Sequence, residues 1–336
     1  MGNQTRTGLR RVRQDIQACL LLLNNLNSSN GVGQSPLAGE TPAGSQFDQY
    51  EARNAAQGTF ILIYGLDLAG EKDPRLVKFG RACAAVGLRA VVPSLSGLKS
   101  YQLDANDLEI LVDLILYLNQ QYTQPIGMIG FSSGGSYALL ASADVRVTGI
   151  VDPLVLFSPY YTLEDLRAVQ ITQPLDQPQS ERDWEHYIWS KLALAYRNLE
   201  RVNLSAVERA ELTAFLANYC VETMPHKLEV YHRLLENLTI PGVEEIPVDH
   251  ETLDRFSPCG KIGGIESRVV LFYDPTDYLI PAEHAYHIID ELQQNQKPGR
   301  QRMLITPLIS HVSPRYRWRL KEIFLAIDML GEIFVR

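Results

Sequence analysis

From residue 58 onward, short unbroken apolar runs alternate with longer stretches in which apolar residues recur every three or four positions. TFILIY (59–64), RAVVPSL (89–95), IGMIGF (126–131), RVVLFY (268–273) and RMLITPL (302–308) are runs of the first kind, and VTGIVDPLVLFSP (147–159) contains another. Such runs predict buried β-strands. PRLVKFGRACAAVG (74–87) and ANDLEILVDLILYLNQQ (105–121) are of the second kind. The former has proline in its first turn, and the latter places Leu108, Leu111, Ile115 and Leu118 on one helical face. SYALLAS, PAEHAYHIIDELQQN and PRYRWRLKEIFLAIDML complete the expected helices. Apolar strands joined by helices predict an α/β domain with a mostly parallel, doubly wound sheet covered on both faces.

Two regions break the rhythm. Between residues 161 and 261 the chain reads as helix and loop, with S-x-x-D at Ser180–Asp183 and an S-x-x-E capping box at Ser205–Glu208. Residues 27–46, NSSNGVGQSPLAGETPAGSQ, carry almost no large apolar side chain. That composition predicts a flexible linker. The expected organisation is an N-terminal amphipathic helix (1–26), a linker (27–57), an α/β core (58–160 and 262–336) and a helical cap insertion (161–261). Leu9, Val12, Ile16, Leu20 and Leu23 mark the N-terminal helix. Its apolar run is much shorter than the roughly 20 residues a bilayer requires, so no membrane span is expected. Asp15 and Gln17 interrupt a signal-like pattern, and Arg6 stands where a lipidation signal needs Ser or Thr. A cytoplasmic placement follows, although the basic start and apolar run leave export open.

Composition narrows the partners. The chain is 46% hydrophobic and 21% charged, as expected of a globular protein with a large core. A net charge of −8 argues against nucleic acid or an anionic membrane, which require basic surfaces. LRRVR and RYRWRLK read as solvated helix faces. The four cysteines, Cys19, Cys83, Cys220 and Cys259, lie far apart with no CxxC pair, which fits a reducing compartment.

The chemistry centres on Gly130-Phe131-Ser132-Ser133-Gly134, a G-x-S-x-G pentapeptide between a strand and a helix. A nucleophilic serine needs its hydroxyl raised above the sheet and a backbone N–H beside it, and a sharp strand-to-helix turn supplies both. Glycine relieves the crowding of such a turn. Serine also needs a base and an orienting acid, and in this architecture they follow in the order Ser, acid, His. Asp277 follows RVVLFY and His311 follows RMLITPL, so Ser132, Asp277 and His311 are the expected catalytic residues. Asp274 competes for the acid role but precedes Pro275 and reads as a turn cap; Glu164 and Asp165 are further candidates. His284 and His287 have i, i+3 spacing without an evident third ligand, so neither a metal nor a cofactor is expected. The backbone N–H groups of Ser133 and of Leu66, after Gly65, are the expected oxyanion donors.

TFILIYGLD, DPRLVKFGRACAAVGLRAVVPSL, GFSSGG, YDPTDYLIP and SHV together resemble the α/β-hydrolase superfamily. The likeness is nearest to bacterial esterase-like proteins similar to dienelactone hydrolases, and it covers about 58–160 and 262–336. It implies a Ser-Asp-His triad on Ser132, Asp277 and His311 and a helical cap. Tyr64 stands where His is usual, Asp274 where Gly is frequent, and Ser310 where Gly commonly precedes the histidine. Dienelactone hydrolases proper use Cys as nucleophile, so Ser132 argues against that activity. The expected function is hydrolysis of an ester-type bond, carboxylic ester or thioester, in a small-molecule substrate through an acyl-enzyme. A serine peptidase or amidase on the same residues is the alternative, as is a catalytically silent binding protein. Trp184, Tyr187, Trp189, Tyr196, Tyr219 and Tyr231 either line an acyl pocket or pack the cap helices together.

Overall fold

The computed structural model describes residues 35–52, 54–124, 126–166, 181–239, 249–277, 279–295, 300–314 and 320–331. The helix expected over 1–26, residues 27–34 of the linker and Ser180 lie outside them. Strands β3 (Thr59–Ile63), β4 (Arg89–Pro93), β5 (Ile126–Phe131), β6 (Val151–Phe157), β7 (Val269–Tyr273) and β8 (Gln301–Ile305) pair in parallel. Their β-branched and leucine side chains are buried on both faces, which explains the absence of alternation in the sequence.

One expectation is corrected here. Residues 37–50, read as flexible linker, form β1 (Leu37–Glu40) and β2 (Gln46–Tyr50). Both are antiparallel additions, giving the order β1-β2-β4-β3-β5-β6-β7-β8. Composition misleads because backbone pairing and just two aromatic side chains of β2 hold this edge. Gly39 has no side chain, and a Cβ there would lie 2.3 Å from the Phe47 ring, so the phenyl group of β2 covers the glycine of β1. Phe47 and Tyr50 are the buried anchors.

The crossovers are α1 (Pro74–Ala85), α2 (Ser96–Lys99), α3 (Ala105–Gln121) and α4 (Ser133–Ser142). Asp73 caps α1 by accepting hydrogen bonds from the Arg75 and Leu76 N–H groups, and Pro74 occupies the first turn. Nearly all of α4 is buried, which is why its sequence shows no polar face.

Between β6 and β7 the described residues include no strand, and their main helices are α5 (Glu181–Arg197), α6 (Ala206–Asn218), α7 (Met224–Val230) with a π-helical turn over Tyr231–Leu235, and α8 (His250–Arg255). The Ser205–Glu208 capping box forms as expected. Helices α5 to α7 bury their own cluster around Ile188, Leu192, Leu212, Phe215 and Leu235. Tyr101 joins this cluster from the sheet domain, and Leu66 and Leu68 pack against it. Phe256, just after α8, belongs instead to the sheet core and stacks on Tyr137. The separately packed part is therefore narrower than the whole of 161–261.

The chain closes with α9 (Glu283–Asn295), β8, a small hairpin of β9 (Ile309–Ser310) and β10 (Ser313–Pro314), and α10 (Leu320–Leu330). No helix among the described residues is long and apolar enough to cross a membrane.

The corrected edge yields a stability prediction. Tyr50 is 2% exposed, and its ring lies against Gly80. Tyr50→Ala should lower unfolding free energy in urea by about 3–5 kcal/mol, as for a large core truncation. Among the described residues its buried hydroxyl has no hydrogen-bond partner, so Tyr50→Phe should change stability by less than about 1 kcal/mol. A Tyr50→Ala change within about 0.5 kcal/mol of wild type would return this segment to the status of a linker.

Candidate active site

The site is assembled where β5 turns into α4. Ser132 has φ 53° and ψ −129°, a conformation an L-residue holds only under constraint from its surroundings. The constraint is tight packing. A Cβ at Gly130 would lie 2.5 Å from the Gly135 Cα, and one at Gly134 would lie 2.1 Å from the Tyr64 carbonyl oxygen. Only glycine lets α4 start this close to β3 and β5. The Ser132 N–H donates to the Phe157 carbonyl at 2.8 Å, continuing the β5–β6 ladder up to the turn. Phe131, Phe157 and Phe272 stack at the ends of β5, β6 and β7, with ring centroids 5.2 and 5.0 Å apart.

His311 occupies the first turn position of the β9–β10 hairpin with φ 53°. Its Nε2 lies 2.8 Å from Ser132 Oγ, and its Nδ1 lies 2.6 Å from Asp277 Oδ2. The Asp277 side chain is fully buried, and its Oδ1 accepts from the Leu279 and Ile280 N–H groups at 3.0 and 3.2 Å. These bonds favour the carboxylate and aim its second oxygen at the imidazole. Asp274 accepts from the N–H and hydroxyl of Thr276, so its Oδ1 caps its own turn. Glu164 and Asp165 are exposed. Of the acid candidates, the structure brings Asp277 to the histidine.

The loop after β3 forms the opposite wall. A Cβ at Gly65 would lie 3.0 Å from Ser132 Cβ and 3.5 Å from its Oγ, so the backbone at 65–66 passes directly beside the hydroxyl. Among the described residues, neither the Leu66 N–H nor the Ser133 N–H donates to a protein acceptor. Ser133 is the first residue of α4, where backbone N–H groups are free and the helix dipole is positive. Tyr64 takes a role the sequence did not disclose. Its buried hydroxyl accepts from the Leu95 N–H at 2.7 Å and donates to the Leu95 carbonyl at 3.2 Å, tying this loop to the end of β4.

Electrostatics brace the same loop. Asp67 Oδ1 accepts from the Ala69 N–H, and the Arg75 guanidinium reaches both Asp67 at 3.3 Å and Asp73 at 2.7 Å. Burial, followed by the adjoining Asp73, pushes the Asp67 carboxyl up to about 7. Burial opposes ionisation of Asp73 as well, but hydrogen bonds from Arg75 and Asp67 outweigh it and hold that carboxyl at about 2. As pH falls, Asp67 is thus the first of the two carboxyls to take up a proton, while Asp73 stays ionised beside Arg75.

His284 is buried and its Nδ1 accepts from the Tyr161 N–H; burial lowers its pKa. His287 stacks on Tyr161. No group of three or more His, Cys, Asp or Glu side chains among the described residues is arranged to hold a metal ion.

No protein-family model matches the sequence, and no curated protein is significantly similar to it. Solved structures are similar in three dimensions. An acylaminoacyl peptidase in complex with a chloromethyl ketone is 11% identical with a TM-score of 0.53, over 90% of this chain and 42% of that one. A puromycin-hydrolysing peptidase of Mycobacterium tuberculosis is 10% identical with a TM-score of 0.51, over 90% and 39%. A Pyrococcus furiosus esterase is 13% identical with a TM-score of 0.49, over 90% and 91%. This chain spans less than half the length of the two peptidases. At such identities the likeness bears on fold alone, and the fold is that of the α/β hydrolases.

The raised Asp67 carboxyl can be tested through stability. The Asp67 carboxyl rises from an ordinary 3.8 to about 7 on folding, so folding takes up a proton between those pH values. This contribution to stability is complete below pH 3.8 and is lost as pH rises through about 7. Asn mimics the protonated carboxyl. Asp67→Asn should match wild type near pH 4, gain on it as pH rises to about 7, and keep that lead above, in urea midpoints across the range. A difference independent of pH would mean that the Asp67 carboxyl is not raised on folding.

Proposed function

On the α/β-hydrolase fold, we propose that the protein is a serine hydrolase cleaving an ester-type bond, carboxylic ester or thioester, in a small-molecule substrate. One observation carries the reading: the unbroken hydrogen-bond chain from Ser132 Oγ through His311 to Asp277, at 2.8 and 2.6 Å. In this reading His311 Nε2 takes the Ser132 proton as Oγ attacks the substrate carbonyl. Asp277 keeps the remaining ring proton on Nδ1 and stabilises the imidazolium that forms. The Leu66 and Ser133 N–H groups receive the oxyanion, with no rearrangement needed because neither has a partner to give up among the described residues. His311 then protonates the leaving alkoxide or thiolate as the tetrahedral intermediate collapses to the acyl-Ser132 ester. Water, deprotonated by the same imidazole, attacks the acyl carbon, and collapse returns the proton to Ser132 and releases the acid.

The helical segment supports a cap on the acyl side. Tyr101 contacts Trp189 and Tyr196 of α5 at 6.2 and 5.6 Å between ring centroids, and Leu66 packs against both hydrophobic clusters. Aromatic and leucine surface therefore adjoins the loop bearing the Leu66 donor, which favours an apolar acyl group. Hydrolysis of an amide or peptide bond is the second reading, favoured by the two similar structures described as peptidases. It uses the same proton transfers with an amine leaving group.

A fluorophosphonate probe should label Ser132 in the native chain and not after denaturation. Ser132→Ala should lower kcat on p-nitrophenyl esters at least about a thousandfold while leaving the thermal midpoint unchanged. Full turnover by Ser132→Ala would sink the proposal. Matched esters, thioesters and anilides carrying one acyl group separate the two readings by which bond the wild-type chain cleaves.

A further inference from the structure

Four non-glycine residues among those described have positive φ: Tyr101, Ser132, Ser158 and His311. Three of them meet at one place. Ser132 touches the His311 ring, and Ser158, where the chain leaves β6 with φ 46°, donates its Oγ–H to the His311 carbonyl at 3.1 Å. Ser158 has no accessible surface, and the bond joins residues 153 positions apart. Unfavourable backbone conformations persist only where the surroundings over-determine them.

The surroundings of Ser158 do so. Its N–H donates to the Phe272 carbonyl at 2.9 Å, and Tyr273 donates its hydroxyl to the Pro159 carbonyl. Ser136 of α4 brackets Tyr160, accepting from its N–H at 2.8 Å and donating to its carbonyl at 2.9 Å. The Tyr161 N–H is held by His284. Residues 158–161 are thus fixed from β7, α4 and α9, whereas His311 sits at the tip of a hairpin with two-residue strands. The His311 carbonyl belongs to the turn itself, outside the Ser310–Ser313 pairing, so the hairpin does not fix it.

We propose that Ser158 is the positioning residue for the His311 imidazole: its hydroxyl grips the His311 carbonyl and holds the left-handed backbone from which Nε2 reaches Ser132. This rests on the reading of His311 as the base that activates Ser132. The rigid 158–161 segment acts as a post, and the hairpin tip is tied to it. Ring nitrogens must stay within hydrogen-bond reach of both Ser132 and Asp277, and a displacement of about 1 Å can cost on the order of a hundredfold in rate. The bond acts on the histidine backbone, so the expected effect falls on turnover.

The test compares wild type, Ser158→Ala and Ser158→Gly. Glycine adopts positive φ without cost, so Ser158→Gly deletes the hydroxyl without straining the backbone and keeps the test valid if the alanine variant folds poorly. Both variants should show kcat on the best p-nitrophenyl ester reduced about 10- to 100-fold, with KM unchanged. The rate of fluorophosphonate labelling at Ser132 should fall by the same factor, at temperatures where circular dichroism shows the native fold. Wild-type labelling and turnover in both variants would overturn the proposal. So would loss in Ser158→Ala with full activity in Ser158→Gly, because backbone conformation rather than the hydroxyl would then matter. A wild-type chain that shows neither Ser132 labelling nor turnover would instead fail the underlying reading of the site, and this inference with it.

Discussion

The conformation of a single residue governs much of this structure. Ser132 stands at φ 53° and ψ −129° because α4 must begin almost in contact with β3 and β5. That closeness is possible only with glycine at 130 and 134, and it has two consequences. The hydroxyl is lifted out of the sheet, and among the described residues the Ser133 N–H beside it has no acceptor. Each remaining part of the site then needs only to be brought up to this fixed point. The Phe131–Phe157–Phe272 stack reinforces the rim at the ends of three adjacent strands.

What is brought up differs in how it is held. The loop through Leu66 is tied by a tyrosine hydroxyl to the backbone of Leu95, and Arg75 joins Asp67 of the same loop to Asp73. The histidine comes on a minimal hairpin, which has too few residues to be rigid by itself. The acid comes on a turn whose own N–H groups fix one carboxylate oxygen and leave the other for the imidazole. Where the local element is weak, long-range hydrogen bonds from buried groups compensate. Preorganisation is therefore distributed over contacts spanning the domain.

The helical segment stands apart in its packing. It has its own apolar cluster and meets the sheet domain through Tyr101, Leu66 and Leu68. This places aromatic surface next to one side of the site without tying the segment into the sheet core. Such an arrangement allows the surface beside Ser132 to change independently of the sheet beneath it.

The strands of the central sheet were legible because burial on both faces demands continuous apolar runs, and the turn at Ser132 because its geometry tolerates few residues besides glycine at 130 and 134. Order along the chain pointed to His311 and Asp277 for a similar reason: parallel topology delivers strand ends to one rim. Asp274 was separable from Asp277 by the proline that follows it, a local signal. The pairing of β1 and β2 was not legible, since their backbone hydrogen bonds leave no mark on composition and only Phe47 and Tyr50 supply buried apolar surface. Nor were Tyr64 and Ser158, which act through the backbone of residues 31 and 153 positions away. Local sequence thus determined which residues carry reactive groups, because side-chain chemistry and turn geometry are local. Tertiary structure alone decided what holds them in place, because a hydrogen bond to a distant carbonyl selects no residue type at the carbonyl's own position.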